Sequence, residues 1–174
     1  MRGQNSESGS LAQTFAIPLK GPRSLMVLRV YLDTSVFSAY YDEKAADRRI
    51  QTEEFWPRRS QFVVSTSELA REELQRTPDA TRRLALLALL DSLTIHHVTD
   101  AMRALAVHYI QAGIFTEVMY NDAVHVAAAV LTRQDVLLSW NFKHLVNRRR
   151  RAQIKDANIS LGLPTIDIVA PPEI

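Results

Sequence analysis

Short hydrophobic runs alternate with longer segments of helical periodicity along most of this 174-residue chain. The runs predict strands over residues 27–32, 61–64, 93–95, 136–138 and 166–169. The periodic segments predict a short helix after Ser35 and longer helices over residues 43–58, 68–76, 80–91, 100–111, 118–132 and 146–155. Because strands separated by helices form βαβ units, the pattern predicts an α/β fold with a central, mostly parallel, twisted β-sheet flanked by helices.

The first 25 residues lack this pattern and are mostly polar, with several serines, glycines and glutamines. This composition predicts a flexible N-terminal extension over residues 1–25 and a single domain over residues 26–174. Met26 stands directly before the first predicted strand, so Met1 and Met26 are both candidate starts of the native protein. The extension contains no apolar block of the kind that signal peptides carry.

The amino-acid composition excludes or disfavours several classes of protein. No apolar run approaches the roughly 18 residues of a membrane span, which predicts no membrane partner. The chain has no cysteine, which excludes disulfides, thiolate nucleophiles and cysteine-based zinc sites and agrees with a reducing, cytoplasmic location. With only five glycines and no glycine-rich phosphate loop, the sequence disfavours nucleotide-binding folds of the Rossmann or P-loop kind.

Polar side chains occur where a parallel sheet would bring its loops together: after the first and fourth strands, on the helix after the second strand, and at the start of the most apolar helix. These candidates are Asp33, Glu68, Glu72, Glu73, Asp122 and Asn141. Clustered carboxylates repel one another, so such a site normally holds a divalent cation or a shared proton. Oxygen ligands, without cysteine and without a histidine pair at ligand spacing, suit Mg²⁺ or Mn²⁺, ions that assist phosphodiester cleavage.

Each candidate also has an ordinary structural interpretation. Asp33 and Asp122 can each be a helix N-cap, and glutamates on a helix are most often surface residues. His125 is expected to be a core or supporting histidine rather than a metal ligand. His144 is expected at the surface, although it could approach a phosphate. Trp140 is either a wall of the site, where it could stack on a base, or simple packing.

Four segments in order add specificity to these single residues: VYLDTS at 30–35, SELAREEL at 67–74, NDAVHVAAA at 121–129 and LLSWNFKHL at 137–145. The chain ends with LGLP at 161–164 and IVAPP at 168–172. In this order and spacing, the segments resemble PIN-domain nucleases, in particular the VapC-like toxins of type II toxin–antitoxin systems. The resemblance covers residues 27–172.

The resemblance implies a PIN-like three-layer fold and a Mg²⁺- or Mn²⁺-dependent endoribonuclease, with RNA as substrate. It implies Asp33, Glu73 and Asp122 as catalytic metal ligands. Glu68 and Glu72 stay open as alternatives to Glu73, since helical spacing keeps all three close. Asn141 takes the place of a fourth acid found in many members; its amide oxygen can coordinate a metal but carries no charge. Small hydroxyls line the family's site at the positions of Ser35 and Ser139.

The resemblance also implies two protein partners, a cognate antitoxin and a second copy of the chain in a homodimer. RNA binding has a candidate of its own in a basic run: Lys143, Arg148, Arg149, Arg150 and Arg151. Such a run is often only a solvated helix face, but it can steer a polyanion.

Two other functions remain open from the sequence. Because Asn141 replaces an acid, the protein could be a catalytically weak or inactive module that binds RNA or protein. A phosphatase with Asp33 as nucleophile is disfavoured, since such enzymes need a second aspartate two residues later and this chain has Ser35 there.

Overall fold

The structure is a computed structural model that describes residues 27–174. The N-terminal extension predicted over residues 1–25 lies outside the described residues. Within residues 27–174, five strands form one parallel sheet in the order β3-β2-β1-β4-β5. The strands are β1 (Arg29–Leu32), β2 (Val63–Ser67), β3 (Thr94–His96), β4 (Val136–Leu138) and β5 (Asp167–Val169). The prediction of a parallel α/β sheet is confirmed.

The central strand β1 fixes the position of the others. Its partner on one side is β2, with Val30 opposite Val64, and on the other side β4, with Val30 opposite Val136. The last three residues of β1 are fully buried, as expected for a parallel strand covered on both faces by helices. The chain order reverses between β1 and β4, and such a switch point opens a crevice at the carboxyl ends of the strands.

Seven α-helices connect and flank the strands within the described residues. They are α1 (Thr34–Tyr40), α2 (Ala46–Arg58), α3 (Glu68–Gln75), α4 (Ala80–Ala88), α5 (Asp100–Gln111), α6 (Tyr120–Leu131) and α7 (Arg148–Ser160). Helix α6 is the most deeply buried, with every residue from Ala123 to Val130 inside, which agrees with its nearly uninterrupted apolar sequence. It packs against α5 and against β2 and β4.

Several element boundaries differ from those predicted. Strand β2 runs to Ser67, so that three polar residues end it where the sequence predicted only the apolar residues 61–64. Burial of these three hydroxyls is compensated because each has a hydrogen-bond partner: Gln134 for Ser65, the Leu32 carbonyl oxygen for Thr66 and the Tyr31 hydroxyl for Ser67. Helix α2 begins at Ala46 rather than at residue 43, and α7 begins at Arg148, where Asn147 caps it, and continues to Ser160.

The hydrophobic core lies on both faces of the sheet, and its largest buried side chains include Tyr31, Phe37, Phe55, Leu137 and Tyr109. None of the helices within residues 27–174 is long and apolar enough to cross a membrane.

Candidate active site

Asp33 is the first residue after β1 and lies at the carboxyl edge of the sheet. It occupies the N-cap position of α1, yet its side chain makes no capping hydrogen bond. Instead, its Oδ2 atom accepts hydrogen bonds from the Ser35 and Ser139 hydroxyls, both at 2.6 Å. The side chain is only 5% exposed. The interpretation of Asp33 as a simple helix cap is therefore wrong, and the two serines predicted to line the site do hold this carboxylate.

The turn after β4 is hydrogen-bonded to the same two serines that hold Asp33. The backbone N–H of Trp140 donates to Ser35 Oγ at 2.8 Å, and that of Asn141 donates to Ser139 Oγ at 2.9 Å. The indole N–H of Trp140 donates to Thr52 Oγ1 at 2.8 Å, and the side chain is only 5% exposed. Trp140 is thus a packed support for the turn rather than a free stacking surface.

Asp122 lies in the first turn of α6 and is half-buried. Asn141 Nδ2 donates to its Oδ1 at 2.9 Å, and His144 Nδ1 lies 2.9 Å from its Oδ2. Asn141 Oδ1 accepts from the His144 backbone N–H at 3.0 Å, which fixes the orientation of the amide. The His144 side chain, expected at the surface, is 25% exposed and holds one oxygen of Asp122. Asn141 holds the other oxygen.

Asp33 and Asp122 line one open cleft of about 580 Å³ together with Ser35, Arg48, Trp140, Asn141, Phe142 and Lys143. Burial and the nearby negative charge of Asp33 raise the pKa of Asp122, although hydrogen bonding to His144 opposes the shift. A carboxyl group whose ionised form is disfavoured by a nearby carboxylate marks a place where a positive charge is stabilised.

Glu73 lies behind this cleft, on α3. Its Oε1 accepts from Asn121 Nδ2 at 2.7 Å, and its Oε2 accepts from the Thr34 hydroxyl and lies 3.1 Å from His125 Nε2. Burial raises the pKa of Glu73, but the hydrogen bond and charge of His125, with the bonds from Thr34 and Asn121, outweigh it and bring the pKa to about 2. Glu73 is therefore ionised and held on both oxygens.

His125 is fully buried between the acids, as expected for a supporting histidine. Its Nδ1 lies 2.8 Å from the Tyr31 hydroxyl, while its Nε2 lies 3.1 Å from Glu73 Oε2 and 3.6 Å from Asp33 Oδ1. Burial by itself lowers the pKa of His125, but the Tyr31 oxygen and the carboxylates of Glu73 and Asp33 raise it well above its usual value. The His125 ring thus lies between Asp33 and Glu73, and their proximity favours its positively charged form.

Two of the three candidate glutamates lie elsewhere. Glu68 binds His97 Nδ1 at 2.7 Å, and Glu72 is exposed and lines a separate pocket with Arg76 and Arg103. Their inclusion among residues that line the site is corrected, because the direction of α3 turns only the third glutamate, Glu73, towards Asp33.

The basic run divides into residues with different surroundings. Arg148 and Arg149 are exposed, whereas Arg151 lies 3.8 Å from Glu173. The guanidinium of Arg150 stacks on the Phe115 ring at 4.7 Å, and the charge of Asp122 acts on it. Lys143 lines the cleft itself. Lys143 and Arg150 are therefore the two predicted cations that lie near the acids.

Four residues of the site were not among the sequence-predicted candidates: Thr34, Arg48, Asn121 and Phe142. Thr34 follows Asp33 and Asn121 precedes Asp122, so their positions next to candidate acids could have indicated them. Arg48 comes from α2 and reaches the cleft only through tertiary packing, so its position in the sequence gave no indication.

The side-chain oxygens at this site can be compared with those that the Mg²⁺ or Mn²⁺ ion implied by the family resemblance would need. Within residues 27–174, no three Asp, Glu or His side chains converge as a ready-made metal centre. The oxygens nevertheless suit a hard divalent cation, because the pKa of Asp122 shows the repulsion from Asp33 that such an ion would relieve. Asp33 and Asp122 would be its direct ligands, and Glu73 would act through His125 unless it exchanges its present partners.

Comparison with known proteins places this site in a family. The model of the PIN domain family matches residues 30–142, which is more than half of the chain. Among solved structures, VapC20 of Mycobacterium tuberculosis, a toxin that cleaves the sarcin–ricin loop, is similar with 22% identity and a TM-score of 0.52, over 62% of this chain and 86% of that one. DNA-bound VapBC from Salmonella typhimurium is similar with 13% identity and a TM-score of 0.52, over 83% of this chain and 99% of that one.

No curated protein matches the sequence. At these identities, the solved structures show likeness of fold, while family membership rests on the family model. Its matched segment starts in β1 and extends through Asp33, Glu73 and Asp122 to Phe142, so it spans the candidate site. The chain belongs to the PIN domain family.

Proposed function

We propose that this chain is a Mg²⁺- or Mn²⁺-dependent endoribonuclease and the toxin of a toxin–antitoxin pair. The observation that carries the proposal is the open cleft in which Asp33 and Asp122 face Arg48 and Lys143. Two acids suit a divalent cation, and two cations beside them suit the phosphates of a nucleic acid. The likeness of the fold to VapC20, which cleaves the sarcin–ricin loop, supports RNA as the substrate.

Each side chain has a defined part in this proposal. Asp33 and Asp122 would hold the ion, which when bound would activate water and offset the charge that develops on the phosphodiester. Ser35 and Ser139 orient Asp33 through their hydroxyls. Asn141 and His144 orient Asp122 in the same way, each by one hydrogen bond.

The remaining members of the site bind substrate or set charge. Arg48 and Lys143 attract the phosphodiester to the cleft. Glu73 and His125 form a buried ion pair behind Asp33, which keeps that carboxylate in place. The side chains thus line one cleft that combines two acids with two cations.

The test is cleavage of an end-labelled single-stranded RNA with Mn²⁺, with Mg²⁺ and with EDTA. We expect Asp122→Asn to lower the rate by about 100-fold or more, since it removes a ligand charge that contributes several kcal/mol to catalysis. Asp91→Asn is the matched control, because Asp91 is exposed and precedes β3, at the opposite edge of the sheet. Equal cleavage by Asp122→Asn and wild type would contradict the assignment.

A second candidate function, RNA binding without cleavage, is favoured by the contacts of Asn141. Its Nδ2 donates to Asp122 and its Oδ1 accepts from the His144 backbone N–H, so the residue supports Asp122 and adds no negative charge for a metal ion. Calorimetric titration with Mn²⁺ separates the two functions. The nuclease binds the ion and loses it in Asp122→Asn, whereas a pure binding module gives no heat of metal binding in either protein.

The proposal includes two partners. The likeness to VapBC from Salmonella typhimurium supports a cognate antitoxin, and a homodimer is expected as well. Co-expression with the small protein encoded beside this gene tests the first, because an antitoxin would co-purify and suppress cleavage. Light scattering of the purified chain tests the second. A cytoplasmic location follows from the proposed substrate.

A further inference from the structure

Phe142 is an exposed aromatic side chain at the acid-lined cleft. It is 52% exposed, whereas Trp140, the other aromatic residue of the cleft lining, is buried. A single exposed hydrophobic residue is common on protein surfaces. Phe142 differs because it shares a cleft with two carboxylates and two cations, where water and charge would otherwise favour a polar residue.

The position of Phe142 is held from both sides. Its backbone N–H donates to Trp140 O at 3.0 Å, and the N–H groups of Leu145 and Val146 donate to Asn141 O at 2.8 and 2.9 Å. Its ring packs against the Trp140 ring at 5.9 Å between centroids, with 57° between the planes. The fixed backbone and the contact with Trp140 restrict the Phe142 side chain, which lowers the entropic cost of binding a ligand to it.

The charges beside the ring favour a nucleic acid as its occupant. Arg48 and Lys143 line the same cleft, Lys143 being the next residue in the chain. An aromatic face next to cations is the arrangement by which proteins bind single strands, because bases stack on the ring while the phosphates contact the cations. The volume of the cleft, about 580 Å³, is that of a typical small-ligand site and can admit a nucleotide.

We propose that Phe142 is a nucleobase platform, on which an unpaired base next to the scissile phosphate of a single-stranded RNA stacks. The proposal rests on the proposed function and adds the residue by which the site selects its substrate. Bases within a duplex are already stacked on their neighbours, so the platform discriminates against double-stranded RNA. Stacking on a ring depends little on base identity, so Phe142 selects for unpaired bases rather than for one sequence.

The test measures RNA affinity apart from cleavage, by fluorescence anisotropy of a short single-stranded RNA in EDTA. We expect Phe142→Ala to weaken binding by about 5- to 100-fold and Phe142→Trp to retain it. Tyr41→Ala is the matched control, since Tyr41 is also an exposed aromatic but lines a different pocket with Glu43 and Arg82. Its affinity should equal that of wild type, and circular dichroism checks that every variant is folded.

Abasic substitutions in the RNA locate the contact. In wild type, one abasic position beside the cleavage site should weaken binding, and in Phe142→Ala the same position should have no effect. Duplex RNA should bind wild type and Phe142→Ala equally.

Two results overturn the proposal in distinguishable ways. Equal affinity of wild type and Phe142→Ala, in a protein that binds and cleaves RNA, rejects the platform alone and leaves Phe142 as a contact for a protein partner. Failure of wild type to bind or cleave any RNA rejects the proposed function together with the platform.

Discussion

His125 shows most clearly how single residues determine the character of this site. It is fully buried, yet both ring nitrogens have partners: Tyr31 at Nδ1, and Glu73 and Thr34 at Nε2. Burying one charge alone is costly, but an imidazolium between two carboxylates compensates both. The ring therefore lies between two carboxylates that would repel each other at this depth if nothing separated them.

Glu73 provides a test of this ion pair through the pH dependence of stability. Its pKa is lowered from 4.5 to about 2, so the folded chain binds a proton on Glu73 less tightly than the unfolded chain does. The stabilisation is present above about pH 4.5 and is lost as the pH falls towards 2. We expect Glu73→Gln to cost on the order of 2–3 kcal/mol of unfolding free energy at pH 7, and the difference from wild type to shrink in acid.

Urea denaturation of both proteins between pH 7 and the acid range measures this difference. Glu72→Gln is the matched control, because the neighbouring Glu72 is exposed and should show no comparable pH dependence. A difference between Glu73→Gln and wild type that stays constant with pH would show that the ion pair is not its cause.

At the scale of elements, helix α7 is connected to the cleft through its cap. Asn147 Oδ1 accepts from the Arg150 N–H at 2.8 Å, and its Nδ2 donates to Lys143 O at 3.1 Å. The cap thus fixes the start of the arginine-rich helix relative to the turn that carries Lys143. The relative position of Lys143 and Arg150 therefore depends on the Asn147 side chain.

Asn147→Ala should therefore affect both stability and RNA binding. We expect a loss of about 1 kcal/mol, as for other helix caps, and an RNA affinity lowered by a few fold. Asp79→Ala is the comparison, because Asp79 caps α4 by accepting from the Arg82 N–H at 2.6 Å. The Asp79→Ala variant should lose a similar amount of unfolding free energy, and its RNA affinity should not change. If both variants weaken RNA binding equally, loss of stability rather than the position of α7 explains the effect.

The boundaries of the strands show what the pattern of apolar residues can predict and what it cannot. The apolar residues of β1 and β4 predicted those strands well, since each is buried on both faces. The polar end of β2 was missed, because Ser65, Thr66 and Ser67 look like a helix cap until their hydrogen-bond partners are known. Such partners lie far away in the sequence, and no local pattern identifies them.

At the scale of the whole molecule, stability depends on the two-sided burial of the central strands. Leu137 in β4 is fully buried, while Ile159 on α7 is largely exposed. We expect Leu137→Ala to lower the unfolding free energy by about 2–5 kcal/mol, because it leaves a cavity in the core. Ile159→Ala should change it by less than about 0.5 kcal/mol. Guanidinium denaturation of the two variants checks the contrast, and equal losses would contradict this view of the core.

Part of the site could be predicted from the sequence, because the topology of a parallel sheet determines which strand ends lie together. Strand ends in a parallel sheet share one edge, so Asp33 and Asn141 could be placed together from the sequence. Side-chain direction could not: whether Asn141 coordinates an ion or holds Asp122, and which glutamate turns inward, depends on packing between α3, α6 and the turn after β4. Arg48 shows the same limit, since only the approach of α2 brings it to the cleft.

The order of strands in the sheet has a consequence for synthesis of the chain. Ser139, which holds Asp33, follows it by 106 residues, and β4 is added beside β1 only after all of α6 has been made. A polypeptide cut short before β4 contains both Asp33 and Asp122 but not the strand that joins their surroundings. Such a fragment lacks Ser139, Asn141 and His144, so the hydrogen bonds by which these residues orient the two carboxylates form only after β4 and the turn that follows it have been made.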